Sequence, residues 1–365
     1  MKKRKSIIIV SPSLDVSKNV SGVSSVVNFI VKGNTDCDYI HFLQGKEDKE
    51  RGGLSRINRL LCSYKKWRTL LTQNRDVLIH YNFPLDCLSI FRDFFFMRYA
   101  VKKNIPMLIH LHGGAFLFKK NKPWAISKLL QIVFSWEVPF IVLSKKEKKV
   151  LMDEFRIKQI EVLPNCVDLS DAKDFIRENY TDSMLHILYL GRIEKNKGVD
   201  YILKASEILE KEHATVVIHF AGKDQTGGEY IRQIQTLNKR NNMVYEGIVF
   251  GKQKTELLKK CHVFLLPSFY EGLPISLLEG MSFGEVPIVT DVGSISEVIC
   301  DRKNGWIVDV KSSEPIVDVI KGLANDRNLL ETMSKDAQKT IFENFSPEYY
   351  MLRLNSIYDH IMKYN

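Results

Sequence analysis

Short apolar runs recur along the chain, each bounded by Gly, Pro or Asn and separated from the next by a stretch of helix length. In the first half, Ile7 to Val10, Val77 to His80, Met107 to His112, Phe140 to Leu143 and Ile160 to Leu163 predict strands. The second half repeats the pattern in His186 to Leu190, Thr215 to Ala221, Met243 to Glu246, Val263 to Leu266 and Val286 to Thr290. Strands that alternate with helical stretches form parallel βαβ units with helices on both faces. Each half therefore predicts an α/β, doubly wound domain. Such sheets bind ligands beyond the carboxyl ends of their strands, and the residues that follow each run are where chemistry is expected.

The length of 365 residues agrees with two cores. We place a first domain at 1–170, a second at 171–345 and a terminal helix at 346–365, with Ser346-Pro347-Glu348 as its start. With 45% hydrophobic and 26% charged residues the composition is that of a globular protein, and no Pro, Gly or Ser tract predicts a long linker. Cys37, Cys62, Cys87, Cys166, Cys261 and Cys300 form no CxxC pair, which argues against a zinc site and a disulfide framework and fits a reducing cytoplasm. The run after Met1-Lys2-Lys3-Arg4-Lys5 ends at Pro12 and is too short for a signal peptide. The window Leu129 to Leu143 carries Glu137 and Pro139, so no membrane span is expected.

Charge is divided unevenly. Through Ser170, 29 Lys and Arg stand against 15 Asp and Glu; from Asp171 onward the numbers are 24 and 28. The basic clusters Lys2 to Lys5, Lys102-Lys103, Lys119 to Lys122 and Lys145 to Lys149 fit either an ordinary solvated surface or an anionic membrane face. The aromatic stretch Phe91 to Tyr99 beside Lys102-Lys103 tilts the reading toward the membrane.

After the predicted strand His186 to Leu190 the chain reads Gly191-Arg192-Ile193-Glu194-Lys195-Asn196-Lys197-Gly198. Arg192 and Lys197 then sit at a strand end beside a helix N-terminus, which suits a diphosphate; taken alone, the segment is equally an ordinary basic turn. After Val263 to Leu266 come Glu271-Gly272-Leu273-Pro274-Ile275-Ser276 and, on the helix expected to begin near Gly272 to Pro274, Glu279. Carboxylates accept hydrogen bonds from vicinal hydroxyls, and Gly272 with the N–H groups of Leu273, Ile275 and Ser276 would approach phosphate. Two acids at this spacing are, on frequency alone, most often surface residues.

The segment Glu271 to Glu279 resembles the E-x7-E signature of retaining GT-B glycosyltransferases, specifically family 4, the glycosyl transferases group 1. The likeness extends over Gly247 to Val308 through Leu266-Pro267-Ser268, Gly284, Pro287, Asp291-Val292-Gly293, Glu297 and Gly305, and upstream to Gly191-Arg192 with Lys197-Gly198. It implies two Rossmann-like domains facing an interdomain cleft, with the second domain holding a nucleotide-diphosphate sugar. Glu279 would hold the donor ribose, Glu271 the hydroxyls of the transferred sugar, and Arg192 and Lys197 the charge on the leaving diphosphate, with no metal and no cofactor. Asp36-Cys37-Asp38 is read as turn chemistry, not a metal motif.

The resemblance is weaker in the first half. Ser21-Gly22-Val23 is similar to the family's glycine loop near the diphosphate, with Ser21 in place of a first glycine. His110-Leu111-His112-Gly113-Gly114 resembles the histidine loop near the reacting sugar, with His112 as the functional residue and His110 buried. Leu163-Pro164-Asn165-Cys166-Val167-Asp168 looks like the interdomain motif with Cys166 where glycine is usual, and the last helix would cross back to the first domain.

These likenesses imply a retaining hexosyltransferase that takes a UDP- or GDP-sugar to a glycan or lipid-linked acceptor, in bacterial surface polysaccharide synthesis, in the cytoplasm and peripheral to the membrane. A nucleotide-sugar 2-epimerase of the same fold is the alternative. A nicotinamide enzyme lacks its G-x-G-x-x-G, and a nucleic-acid binder lacks zinc-finger and aromatic RNP patterns.

Overall fold

The computed structural model describes residues 4–15, 22–45, 54–112, 115–118, 122–238 and 242–364. Ser21, Gly113, Gly114, Lys2, Lys3 and Lys119 to Asn121 lie outside them. The chain divides into two compact units, Met1–Asn165 with Glu348–Asn365, and Cys166–Pro347. The division falls between Asn165 and Cys166, inside the Leu163 to Asp168 motif.

In the first unit, β1 (Lys5–Ser11), β2 (Cys37–Leu43), β3 (Leu78–Pro84), β4 (Met107–His112), β5 (Phe140–Val142) and β6 (Ile160–Val162) form a parallel sheet in the order β2-β1-β3-β4-β5-β6. Ile7, Ile8 and Ile9 are completely buried, as expected of a parallel strand covered on both faces. Full burial of each such side chain contributes about 1.5–3 kcal/mol. Trp67 is also completely buried, and its indole nitrogen donates to Phe96 O at 3.0 Å. Asp86 caps the helix Cys87–Lys102 by accepting from the N–H groups of Leu88 and Ser89.

β2 corrects one expectation. The chain turns at Asp36, but Cys37 and Asp38 belong to the strand, where Asp38 pairs with Ser6 of β1 and accepts from Arg4 Nη1 at 3.0 Å. β2 is an edge strand whose side chains are half exposed, so it tolerates polar residues that hide it from a search for apolar runs.

The terminal helix Pro347–Tyr364 packs on this same sheet. Asn355 and Asn34 exchange amide hydrogen bonds at 2.9 and 3.2 Å, Arg353 reaches Glu161 at 3.1 Å, and the Tyr358 hydroxyl lies 2.6 Å from His80 Nδ1.

The second unit holds β7 (Leu185–Leu190), β8 (Val216–Ala221), β9 (Met243–Gly247), β10 (Val263–Leu266), β11 (Val286–Thr290) and β12 (Trp306–Val308), all parallel, in the order β12-β11-β10-β7-β8-β9. The sheet thus starts in its middle at β7 and is built outward first through β8 and β9, then through β10 to β12 on the other side. Connections leave β7 and β10 in opposite directions, which opens a crevice above their carboxyl ends. β12 has only three residues and was not among the expected strands. In the first unit the corresponding switch lies between β1 and β3.

Candidate active site

In the second unit the sequence places a tight turn directly after β7. Lys195–Lys197 form one turn of 3₁₀ helix, closed by Lys197 N donating to Glu194 O at 3.0 Å, and Gly198 follows with φ of +74°. A Cβ on Gly198 would lie 2.1 Å from Pro267 O, so only glycine lets this turn seat against the loop after β10. Phe269 N donates to Asn196 O at 2.9 Å and ties the two loops together.

This contact brings Lys197 and Glu271 together. Lys197 Nζ donates to Glu271 Oε1 at 2.6 Å, and the completely buried Ser268 donates its hydroxyl to the same oxygen at 2.6 Å. The side chains of Lys197 and Glu271 are 17% and 8% exposed. Glu271 Oε2 has no hydrogen-bond partner among the described residues. The loop after β11 supports the acid from a third side. Thr290 Oγ1 donates to Ser268 O, Ser294 N donates to Gly272 O at 3.0 Å, and Gly293, at φ of +60°, passes so close that a Cβ would lie 2.1 Å from Glu271 O. Three strand ends thus hold one cation and one carboxylate at the switch point.

Glu279 lies on the helix Ile275–Ser282, and its Oε1 accepts from Lys254 Nζ at 2.7 Å. Lys254 belongs to the helix Gly251–Lys260 and was missed by the sequence reading, because its partner lies 25 positions away and no motif links them. Pro274 is the residue before the helix, not part of its first turn, so the helix begins at Ile275 with Ser276 next. Leu273 is buried and packs the loop inward.

Arg192 stands apart. Its guanidinium side chain is 58% exposed, with Nη2 3.4 Å from Glu194 Oε1, an exposed pairing of small energetic weight. Its backbone is fixed, since the buried Tyr189 hydroxyl donates to Arg192 O.

Two further expected residues belong to the first unit. Gly22 opens the helix Gly22–Gly33 after β1, and no described residue lies within 4 Å of where a Cβ would be. His112 is the last residue of β4, and its Nε2 lies 2.7 Å from Asn82 Oδ1 on β3. His110 is completely buried and its Nδ1 lies 3.1 Å from His80 Nε2. Burial penalises the imidazolium and pushes His80 and His112 down to about 3, and His110 well below its ordinary value. All three rings are therefore neutral at physiological pH. Asn82 carried no sequence signal, because its role depends on the register of β3 against β4.

Residues 172–340 match the family model described as glycosyl transferases group 1. An uncharacterized glycosyltransferase of Methanocaldococcus jannaschii is 31% identical over 162 residues, 44% of this chain and 41% of the relative. The UDP-Gal:alpha-D-GlcNAc-diphosphoundecaprenol alpha-1,3-galactosyltransferase of Escherichia coli is 23% identical, over 67% of this chain and 66% of that protein. The chain therefore spans less than two thirds of the length of each of these two relatives. A sucrose-phosphate synthase structure from Thermosynechococcus elongatus superposes with a TM-score of 0.79 at 15% identity, covering 99% of this chain and 100% of the other, and shows the same fold. Over residues 172–340 this chain is thus similar to the glycosyl transferases group 1, and its two parallel six-stranded sheets have the GT-B architecture.

Proposed function

We propose that this protein transfers a hexose from a nucleotide-diphosphate sugar to a glycan or lipid-linked acceptor, with retention of anomeric configuration and without a metal. The Lys197–Glu271 pair at the switch point of the second sheet carries the reading. Glu271 Oε2 accepts a sugar hydroxyl, Lys197 neutralises the departing diphosphate, and Arg192 is an exposed cation available to the same phosphates. Glu279 takes the ribose hydroxyls. The bond from the anomeric carbon to the diphosphate oxygen breaks while the acceptor oxygen bonds to the same face, and the acceptor proton passes to the departing phosphate oxygen.

The galactosyltransferase relative is named for a UDP-sugar donor and a lipid diphosphate acceptor, which supports testing UDP-sugars first. A panel of UDP- and GDP-sugars incubated with undecaprenyl diphosphate-linked sugars in the presence of EDTA tests the proposal, with the product bond read by NMR. Transfer with retention is expected. An inverted bond removes the mechanism, loss of activity with EDTA removes metal independence, and conversion of the donor alone into another nucleotide sugar indicates an epimerase.

We also propose that the protein rests on a membrane surface through the helix Cys87–Lys102. Leu88, Phe91 and Phe95 are exposed at helical spacing, and Arg98 and Lys102 continue the same stripe. An apolar stripe that ends in cations suits the headgroup boundary of an anionic bilayer. No helix among the described residues is long and apolar enough to span one. Flotation with phosphatidylglycerol vesicles is expected, and Phe91→Ser with Phe95→Ser should abolish it; equal flotation of wild type and variant would remove this surface.

A further inference from the structure

Asn82 lies behind His112 in the first unit, and only one orientation of its amide satisfies both neighbours. Asn82 Nδ2 faces Val10 O at 3.0 Å, and a carbonyl oxygen only accepts. The NH2 group must occupy that side, so Oδ1 faces His112 Nε2 at 2.7 Å. A carbonyl oxygen at that position also only accepts, and Nε2 must carry the proton.

We infer that Asn82 is a positioning residue that locks His112 as its Nε2–H tautomer and presents Nδ1 as a hydrogen-bond acceptor for a sugar hydroxyl. The inference deepens the proposed transferase reading and, for the identity of the ligand, rests on it. Nδ1 has no partner among the described residues. Asn82 is 2% exposed, so its amide has no water to turn toward. The His110 ring packs on His112 with centroids 4.1 Å apart, and His110 is itself held through His80 to Tyr358. This stack opposes rotation of the His112 ring.

The chemical consequence is selectivity. A bare imidazole nitrogen accepts from a hydroxyl and repels the oxygens of a diphosphate, which also only accept. An imidazolium would do the reverse. The low pKa of His112, set by its burial, keeps it in the accepting form throughout the neutral range.

Nitrogen-15 spectra of the full chain with labelled histidine read the tautomer without any substrate. His112, assigned by loss of its signals in His112→Gln, is expected to show a protonated Nε2 and a bare Nδ1 at pH 7. Asn82→Ala should shift it to a mixture of tautomers and lower kcat roughly tenfold or more, as loss of an orienting partner does. A proton on Nδ1 in the wild type, or an unchanged tautomer and kcat in folded Asn82→Ala, overturns the inference. Should Asn82→Ala fail to fold, the wild-type spectrum still decides. If no nucleotide sugar is turned over, the transferase reading fails while the tautomer remains measurable.

Discussion

Lys197 and Glu271 are separated by 74 positions in the sequence, yet their side chains meet at 2.6 Å across the junction of β7 and β10. Both are largely buried, and Ser268 shares the same carboxylate oxygen. The pair couples stability to chemistry, because a substitution of either residue strands the other in a site with little water.

Lys197→Ala should therefore destabilise the fold as well as abolish transfer. Removing one partner of a buried pair costs about 3–5 kcal/mol. Lys197→Met combined with Glu271→Gln should recover most of that loss, since no unpaired charge remains, and should stay inactive. Urea unfolding of the three proteins tests this; a double variant no more stable than Lys197→Ala would show the pair is uncoupled.

Gly293→Ala should lose more stability than Gly227→Ala. Both positions have positive φ, +60° and +73°, but a Cβ at 293 meets Glu271 O at 2.1 Å while at 227 it meets no described residue within 4 Å. The backbone strain alone is on the order of 1–2 kcal/mol at each site. The excess at Gly293 measures the clash, and it should be accompanied by a fall in kcat because Glu271 is displaced. Equal Tm shifts would contradict the close approach.

Glu279→Gln should weaken binding of the free nucleoside diphosphate roughly tenfold, since hydrogen bonds to a charged group are worth about 1.5–3 kcal/mol. Lys254→Met should weaken it less, because Lys254 orients Glu279 through a 2.7 Å contact and leaves the acid in place. Calorimetric titration with UDP and GDP separates the two effects. Tighter binding in either variant would contradict the assignment.

Glu285 is completely buried, and neither carboxyl oxygen has a hydrogen-bond partner among the described residues. Burial raises its pKa well above the ordinary 4.5, against the opposing pull of Arg177. A raised folded-state pKa makes its contribution complete below about 4.5 and diminishes it as pH rises toward the folded value. Measured from pH 5 to pH 8, the unfolding free energy of wild type minus that of Glu285→Gln should fall, a difference that removes the opposite slope contributed by the buried, neutral histidines. Parallel slopes in denaturant titrations across that range would show that Glu285 does not titrate.

Much of this molecule was legible before any coordinates. The strands β1, β3 to β6 and β7 to β11 announced themselves because a parallel strand covered on both faces must be apolar along its length. β2 and β12 did not, the first because it is a half-exposed edge, the second because three residues are too few to register. The segment Glu271 to Glu279 was recognisable as a motif, and Lys197 with Arg192 was placed near it through resemblance. The structure joins Lys197 to Glu271 and leaves the Arg192 side chain exposed beside Glu194.

Local pattern along the chain suffices for the alternation of strands and helices, for the placement of the candidate residues after strand ends, and for the likeness of residues 172–340 to one family model. Which side chains share a proton or a charge is set by the packing of distant segments. Ser268 on Glu271, Lys254 on Glu279 and Asn82 on His112 are contacts between segments that strand order and register bring together. A hydrogen bond depends on a few tenths of an ångström, and that precision comes from the packing of whole sheets, not from the spacing of letters along the chain.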